Sequence, residues 1–124
     1  MTRYGFIRTG SMGSMLVRKF TGTGIIAPAD IAASSKTGIS ARVLADRTGI
    51  AAAPSNTAVA TDTDVLFLCV KPAGVRGVLE EIRPVLKPQT LLVSIAGGVT
   101  LADLEEWAGP DHRYVRVIPS VAAE

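Results

Sequence analysis

The sequence predicts one α/β domain built on a doubly wound parallel sheet with helices on both faces. Three observations lead to this fold class. Short β-branched runs alternate with segments of helical spacing, most strand candidates are apolar throughout, and the connections are too long for hairpins. A chain of 124 residues has the length of one domain. We therefore expect a single domain over residues 1–124.

Five apolar runs are strand candidates, and a sixth is weaker. They cover residues 4–7, 30–34, 65–70, 91–95 and 114–118, with the weaker run at 50–53. A strand covered on both faces has no solvent side, so it shows no polar alternation. The runs therefore predict the buried strands of a parallel sheet.

Helical spacing fills most segments between these runs. Apolar residues recur four apart at Met12, Leu16 and Phe20. The i, i+3, i+4, i+7 pattern is present at Ala41, Leu44, Ala45 and Thr48, and again at Val75, Val78, Leu79 and Ile82. Each set places one face of a helix against the sheet.

A last helix is predicted to begin at Thr100, whose hydroxyl can cap it. Asp103, three residues later, suits the positive end of the helix dipole. We expect Leu101, Leu104 and Trp107 to face the sheet, and Gly109-Pro110 to end the helix.

Composition narrows the classes of function. The formal charge is +2, and the 13 Lys and Arg are scattered, which gives no case for a nucleic-acid or membrane partner.

Cys69 is the one cysteine and is interpreted as a small buried hydrophobe, which favours a reducing cytoplasm. We expect no export signal or membrane anchor, because no such apolar segment is present. His112 has no recognisable partner and is expected on the surface.

The stretch YGFIRTGSMGSML joins the first strand to the first helix. Gly10 suits close approach of a phosphate to the backbone, and Gly13 suits tight packing of the helix against the strand. Arg8 stands where G-x-G-x-x-G has its first glycine. Alone, this partial match is as typical of a simple turn as of a phosphate-binding loop.

The end of the second strand bears on cofactor choice. An NAD-preferring site carries an acidic residue about 20 residues after the loop, whereas this chain has SSKT at 34–37. Two hydroxyls and an ammonium suit a 2′-phosphate, so NADP(H) is favoured over NAD(H). The alternative is that Lys36 is a solvated loop lysine.

Taken in order, several segments resemble the N-terminal cofactor domain, a Rossmann fold, of pyrroline-5-carboxylate reductases and of related late-competence proteins. They are GFIRTGSMG, IAASSKT, PSNTAVATDTDVLFLCVKP, LLVSIAGGVTLADLE and RVIPS. The resemblance runs from Tyr4 to about Val121, and RVIPS is closer to the competence branch. The first motif is shared with coenzyme F420-dependent NADP reductases and 3-hydroxyacid dehydrogenases.

The resemblance implies a set of contacts with NADP(H). It assigns the diphosphate to the first loop and the start of its helix, at Ile7, Arg8, Thr9, Gly10, Ser11 and Met12, and Gly13 is counted with them as a cofactor-binding residue. It assigns the adenosine and its 2′-phosphate to Ser34, Ser35, Lys36 and Asn56. It assigns the second ribose and the nicotinamide to Val70, Lys71, Pro72, Ala96 and Gly97.

Three of these residues have simpler interpretations. Asn56 can cap the short helix after Pro54, Lys71 can be a solvated residue before a proline, and Gly97-Gly98 can serve only a tight turn.

The resemblance also implies a partner domain. Relatives continue into a helical domain that makes a dimer and binds the imino acid substrate, whereas this sequence ends at Glu124. We expect the domain by itself to lack reductase activity and its uncovered face to favour a homo-oligomer. The alternatives are a non-catalytic nucleotide-binding or interaction module of the late-competence-protein type, and the cofactor domain of a coenzyme F420-dependent NADP reductase-like enzyme.

Arg8 raises a separate expectation. Its Cβ is fixed by the backbone and projects toward the space of the cofactor, so we expect weak NADPH binding that Arg8→Gly strengthens. A guanidinium that swings clear of the ligand would instead add a charge-assisted hydrogen bond.

Overall fold

The computed structural model describes residues 2–117, and strands alternate with helices along this part of the chain. The strands are β1 (Tyr4–Ile7), β2 (Ile31–Ala33), β3 (Ala51–Ala52), β4 (Val65–Leu68), β5 (Leu91–Ser94) and β6 (Arg113–Arg116). The helices are α1 (Ser11–Gly22), α2 (Ile39–Thr48), α3 (Asn56–Thr61), α4 (Pro72–Ile82) and α5 (Leu101–Ala108). Each predicted strand is present, most of them shorter at one or both ends. Ile118, the end of the last strand candidate, lies outside the described residues.

The six strands form one parallel sheet in the order β3-β2-β1-β4-β5-β6. Strand β1 lies between β2 and β4, with Tyr4 opposite both Ile31 and Val65. The chain builds outward from β1 in one direction and then, from β4, in the other. The predicted doubly wound fold is confirmed, and its strand order reverses between β1 and β4.

Two apolar cores lie on opposite faces of the sheet. On one face Phe6 packs with residues of α1 and α2, among them Val17 and Leu44. On the other face Ile7 packs with residues of α3, α4 and α5. Successive side chains of a strand point to opposite faces, so Phe6 and Ile7 enter different cores, and both are 0% exposed. This two-sided burial explains the uninterrupted apolar runs of the sequence.

Helix α5 begins as predicted. The Thr100 hydroxyl accepts a hydrogen bond from the Asp103 amide at 3.0 Å, and the Asp103 carboxylate accepts one from the Thr100 amide at 3.1 Å. The predicted inward face is wrong at Leu101, which is 49% exposed. Leu101 is the first residue of the helix, whereas Leu104 and Ala108 supply the core contacts from later turns.

Within residues 2–117, no helix is both long enough and apolar enough to cross a membrane.

Substitution by alanine is expected to change the free energy of unfolding in opposite directions at two glycines. A Cβ at Gly5 would lie 2.6 Å from Val59 Cγ1 and 2.8 Å from Thr63 Oγ1, both on stiff buried side chains. We expect Gly5→Ala to lower the free energy of unfolding by about 1–3 kcal/mol through overpacking. The control Gly77→Ala, inside α4 with no atom within 4 Å, should raise it by about 0.5–1 kcal/mol.

Urea denaturation of both variants measures these changes. Equal stability of the Gly5→Ala and Gly77→Ala proteins would contradict the close packing of β1 against α3.

Candidate functional site

A cleft of about 540 Å³ lies where β1, β2 and β4 end. Its walls come from the three loops that follow these strands and from the first turns of α2 and α4. The lining residues are Arg8, Thr9, Gly10, Ser35, Lys36, Ser40, Cys69, Val70, Lys71, Ala73 and Gly74. The cleft therefore occupies the carboxyl edge of the sheet at the reversal of strand order, where open α/β sheets bind ligands.

The loop after β1 places two glycines differently. No atom lies within 4 Å of a Cβ position at Gly10, so the backbone there is open to the cleft. A Cβ at Gly13 would lie 3.1 Å from Cys69 Cβ, which brings α1 close to the end of β4. The close contact at Gly13 agrees with the packing role predicted for that residue. The open space at Gly10 leaves room for a bound group to approach the start of α1.

Arg8 adopts a left-handed backbone conformation, with φ of +62°. Thr9 N–H donates to the Ser34 carbonyl at 3.0 Å, and Gly10 N–H donates to the Arg8 carbonyl at 2.9 Å, which fixes the turn. The Arg8 side chain extends toward α4, and its Nη1 atom lies 4.0 Å from a Cβ position at Gly74. The side chain is therefore directed across the cleft, toward α4.

The charge of the cleft is of one sign. Arg8, Lys36 and Lys71 line it, and none of its described lining residues is acidic. The amino ends of α1, at Ser11, and of α4, at Pro72, lie beside the same loops and add partial positive charge. The arrangement favours an anionic ligand.

Ser34 and Asn56 lie behind the cleft wall. Ser34 is 1% exposed, and its hydroxyl donates to Asn56 Oδ1 at 2.6 Å and accepts from the Arg8 amide at 3.4 Å. Asn56 Nδ2 donates to Glu81 of α4 at 3.0 Å. This chain of hydrogen bonds ties the end of β2 to α3 and α4. Asn56 is not the cap of α3, because Ser55 accepts the capping bond from the Ala58 amide.

The other predicted contact residues lie around the cleft and not on its wall. Ile7 belongs to the core, and Ser11 and Met12 form the first turn of α1. Pro72 is the exposed first residue of α4. Ala96 is buried after β5 and Gly97 is exposed beside it. Gly98 has φ of +78°, so the tight-turn interpretation fits this second glycine.

Sequence reasoning missed four lining residues, namely Ser40, Cys69, Ala73 and Gly74. Ser40 lies in the first turn of α2, and Ala73 and Gly74 lie in the first turn of α4. A first turn that follows a loop at the carboxyl edge reaches the same ligand space, and this is a signal the sequence contains. Cys69 is half-buried in the cleft wall, not fully within the core.

His112 lies outside the cleft. It is half-buried, and its Nδ1 atom has no hydrogen-bond partner among the described residues. Desolvation by burial holds the pKa of His112 below its usual value. No group of three metal-ligating side chains was found within residues 2–117.

Comparison with known proteins gives one family and a consistent set of relatives. Residues 3–98 match the family model described as NADP oxidoreductase, coenzyme F420-dependent. The chain is similar to pyrroline-5-carboxylate reductase of Glycine max, with 37% identity over 119 residues that cover 96% of the chain and 43% of that protein.

Two solved structures are similar in sequence and fold. Pyrroline-5-carboxylate reductase from Coxiella burnetii has a TM-score of 0.91 and 28% identity, over 97% of this chain and 44% of the other. Plasmodium falciparum pyrroline carboxylate reductase with NADP bound has a TM-score of 0.82 and 29% identity, over 96% and 42%. The chain thus spans less than half the length of each of these three relatives.

Burial raises the pKa of the Cys69 thiol to about 12. A thiol of an unfolded chain titrates near about 8.5, so at pH 8 we expect folded protein to react with iodoacetamide at least about 100-fold more slowly than urea-unfolded protein. Cys69 is the one cysteine, so mass spectrometry follows this site alone.

The raised pKa of Cys69 also makes the stability of the protein depend on pH. Because the folded pKa exceeds the unfolded one, the contribution of Cys69 to stability is full below about pH 8.5 and is lost as the pH rises toward 12. The free energy of unfolding of the Cys69→Ala protein should therefore fall less than that of the wild type as the pH rises from about 8.5 toward 12. Similar labelling rates for folded and unfolded protein would contradict the burial of the thiol.

Proposed function

The chain belongs to the family described as NADP oxidoreductase, coenzyme F420-dependent, and on that premise we propose that it is the NADP(H)-binding part of a pyrroline-5-carboxylate reductase-like oxidoreductase. One observation carries the proposal. An open glycine, the hydroxyls of Ser35 and Ser40 and cationic side chains line one cleft at the reversal of strand order. The likeness to reductases over nearly all of the chain supports the same assignment.

The cleft fits the diphosphate of such a cofactor. Gly10 leaves an unobstructed approach to the amides at the start of α1, and amides at a helix amino end bind phosphate oxygens. Thr9 is 2% exposed, lines the cleft and carries a hydroxyl that has no partner among the described residues. A buried polar atom left unpaired in a wall whose charged side chains are all cationic is suited to a ligand acceptor.

The adenosine end is assigned to the loop after β2. Ser35 and Lys36 line the cleft there, and Ser40 adds a hydroxyl from the first turn of α2. A 2′-phosphate would receive hydrogen bonds from these groups and would meet no carboxylate. The Ser35 hydroxyl also accepts a hydrogen bond from the Ala41 amide at 3.1 Å, which holds the loop against α2.

The opposite end of the cleft is assigned to the second ribose and the nicotinamide. Val70 and Lys71 line it, and Pro72, Ala96 and Gly97 lie at the neighbouring strand ends. When bound, the reduced nicotinamide supplies a hydride, here directed to the carbon of a cyclic imino acid. In this proposal the residues of this chain bind and orient the cofactor, and binding of the imine is assigned to the part of the reductases that this chain does not cover.

A second candidate is the cofactor domain of a coenzyme F420-dependent NADP reductase. The description of the matching family names that coenzyme, and this observation alone favours it. The identity to pyrroline-5-carboxylate reductases over 96% of the chain makes the first candidate the stronger one.

We also propose a cytoplasmic location and a homo-oligomeric state. A single half-buried cysteine suits a reducing cytoplasm. Strand β6 is a sheet edge with Val115 exposed, and Val117 beside it is exposed as well. Apolar surface beside an open edge supports self-association of the isolated domain as a homo-oligomer.

Calorimetric titration with NADPH and NADH tests the adenosine assignment. We expect NADPH to bind more tightly, and Lys36→Gln to weaken NADPH by about 10-fold while leaving NADH within about 2-fold, because only NADPH carries the 2′-phosphate. Arg42→Gln is the matched control, since Arg42 is exposed on α2 outside the cleft. Preference for NADH would refute the role given to Lys36.

An activity assay tests the division of labour. We expect the 124-residue chain by itself to show no NADPH oxidation with pyrroline-5-carboxylate, because hydride transfer requires donor and acceptor at reacting distance. A full-length reductase is the positive control. Turnover by the isolated chain close to that of the control would mean that these residues also bind the imine.

A further inference from the structure

We propose that Arg8 is a cofactor-binding residue that clamps the diphosphate through the phosphate nearer the nicotinamide. The inference rests on the proposed function, because it takes NADP(H) as the occupant of the cleft. It replaces the expectation of a steric obstruction with a binding role for the residue that departs from the glycine-loop pattern.

The backbone of Arg8 behaves as the missing glycine would. Its φ of +62° lies in the left-handed region that glycine enters without strain. The turn is held by the Thr9 amide on the Ser34 carbonyl and by the Arg8 amide on the Ser34 hydroxyl. The loop therefore keeps a tight turn with arginine in place.

The Arg8 side chain leaves Gly10 uncovered. The position of a Cβ at Gly10 has no atom within 4 Å, so the guanidinium does not lie over Gly10. Instead Arg8 Nη1 lies near Gly74 in the first turn of α4. The sequence-based expectation placed the obstruction at the Arg8 Cβ, whereas the guanidinium at the far end of the same side chain lies toward α4.

The guanidinium also lacks a partner within the protein. Within residues 2–117 it forms no ion pair and donates no hydrogen bond. It is half-buried beside Lys71 and the amino end of α4, both positive, with no acidic side chain among the described lining residues. Partial burial of an unpaired cation among positive charges is unfavourable until an anion enters. The unpaired hydroxyl of buried Thr9, in the same wall, is a second donor without an acceptor.

The position of the guanidinium determines which of the two phosphates of the diphosphate it contacts. Ser35 and Lys36, assigned to the adenosine end, belong to the loop after β2, whereas Arg8 reaches toward Gly74 and Lys71 after β4. In the proposed complex, the phosphate attached to the adenosine ribose therefore contacts the amides at the start of α1. The phosphate nearer the nicotinamide contacts Arg8.

Calorimetry with a full cofactor and a fragment tests the clamp. The ligands are NADPH and adenosine 2′,5′-bisphosphate, which lacks the second phosphate of the diphosphate and the nicotinamide half. We expect Arg8→Gln and Arg8→Gly to weaken NADPH by about 10- to 100-fold, the range of a charge-assisted hydrogen bond, and to change the bisphosphate by less than about 3-fold. Arg8→Lys should retain part of the affinity, and Arg42→Gln should retain all of it.

The outcomes separate the clamp from the function on which it rests. Wild-type protein that binds neither ligand would overturn the NADP(H) assignment. Wild-type protein that binds NADPH, with Arg8→Gly binding equally or more tightly, would overturn the clamp and restore the steric account. Equal losses of both ligands in Arg8→Gln would overturn the choice of phosphate. Thermal melts of each variant show that it is folded before it is titrated.

Discussion

Burial of β1 on both faces is the constraint on which the rest of the structure depends. Phe6 enters the core under α1 and α2, Ile7 enters the core under α3 to α5, and each buried side chain of this size contributes about 1.5–3 kcal/mol. Phe6 also stacks on Phe67 of β4, with ring centroids 4.6 Å apart. With β2 on one side and β4 on the other, β1 cannot shift its register without moving apolar side chains out of both cores.

The cleft is a consequence of where that strand ends. Ile7 is the last buried residue of β1, so the chain has to turn at position 8 to bring α1 back over the sheet. Gly13 allows α1 to approach Cys69, and the hydrogen bonds from Ser34 through Asn56 to Glu81 hold the ends of β2, α3 and α4 together. The cationic side chains are thus carried by loops whose ends are fixed by packing, which suits a preorganised binding site.

The fold could be predicted from the sequence because its signals are local and agree with one another. Apolar runs, helical spacing and the Thr100–Asp103 cap each depend on a few neighbouring residues. The outcome at Leu101 depends on where the first turn of α5 lies relative to the core, and the spacing does not contain that information. Asn56 is similar, because its partners Ser34 and Glu81 are 22 and 25 residues distant. The loop motif locates the cleft, whereas the path of the Arg8 side chain is defined by its position relative to Gly74 in α4, which is distant in the sequence.

Under the proposed clamp, Arg8 acts on two equilibria that the sequence pattern alone does not separate. A left-handed conformation costs a residue with a Cβ about 1–2 kcal/mol, and this cost lowers the stability of the folded protein whether or not a ligand is bound. A hydrogen bond to a charged phosphate contributes about 1.5–3 kcal/mol, and this contribution exists only in the complex. The backbone strain is present in free and bound protein alike, so it cancels from the binding affinity. A glycine-loop pattern can therefore accept an arginine at its first position, with a modest loss of stability in the free domain and a gain in affinity for a diphosphate.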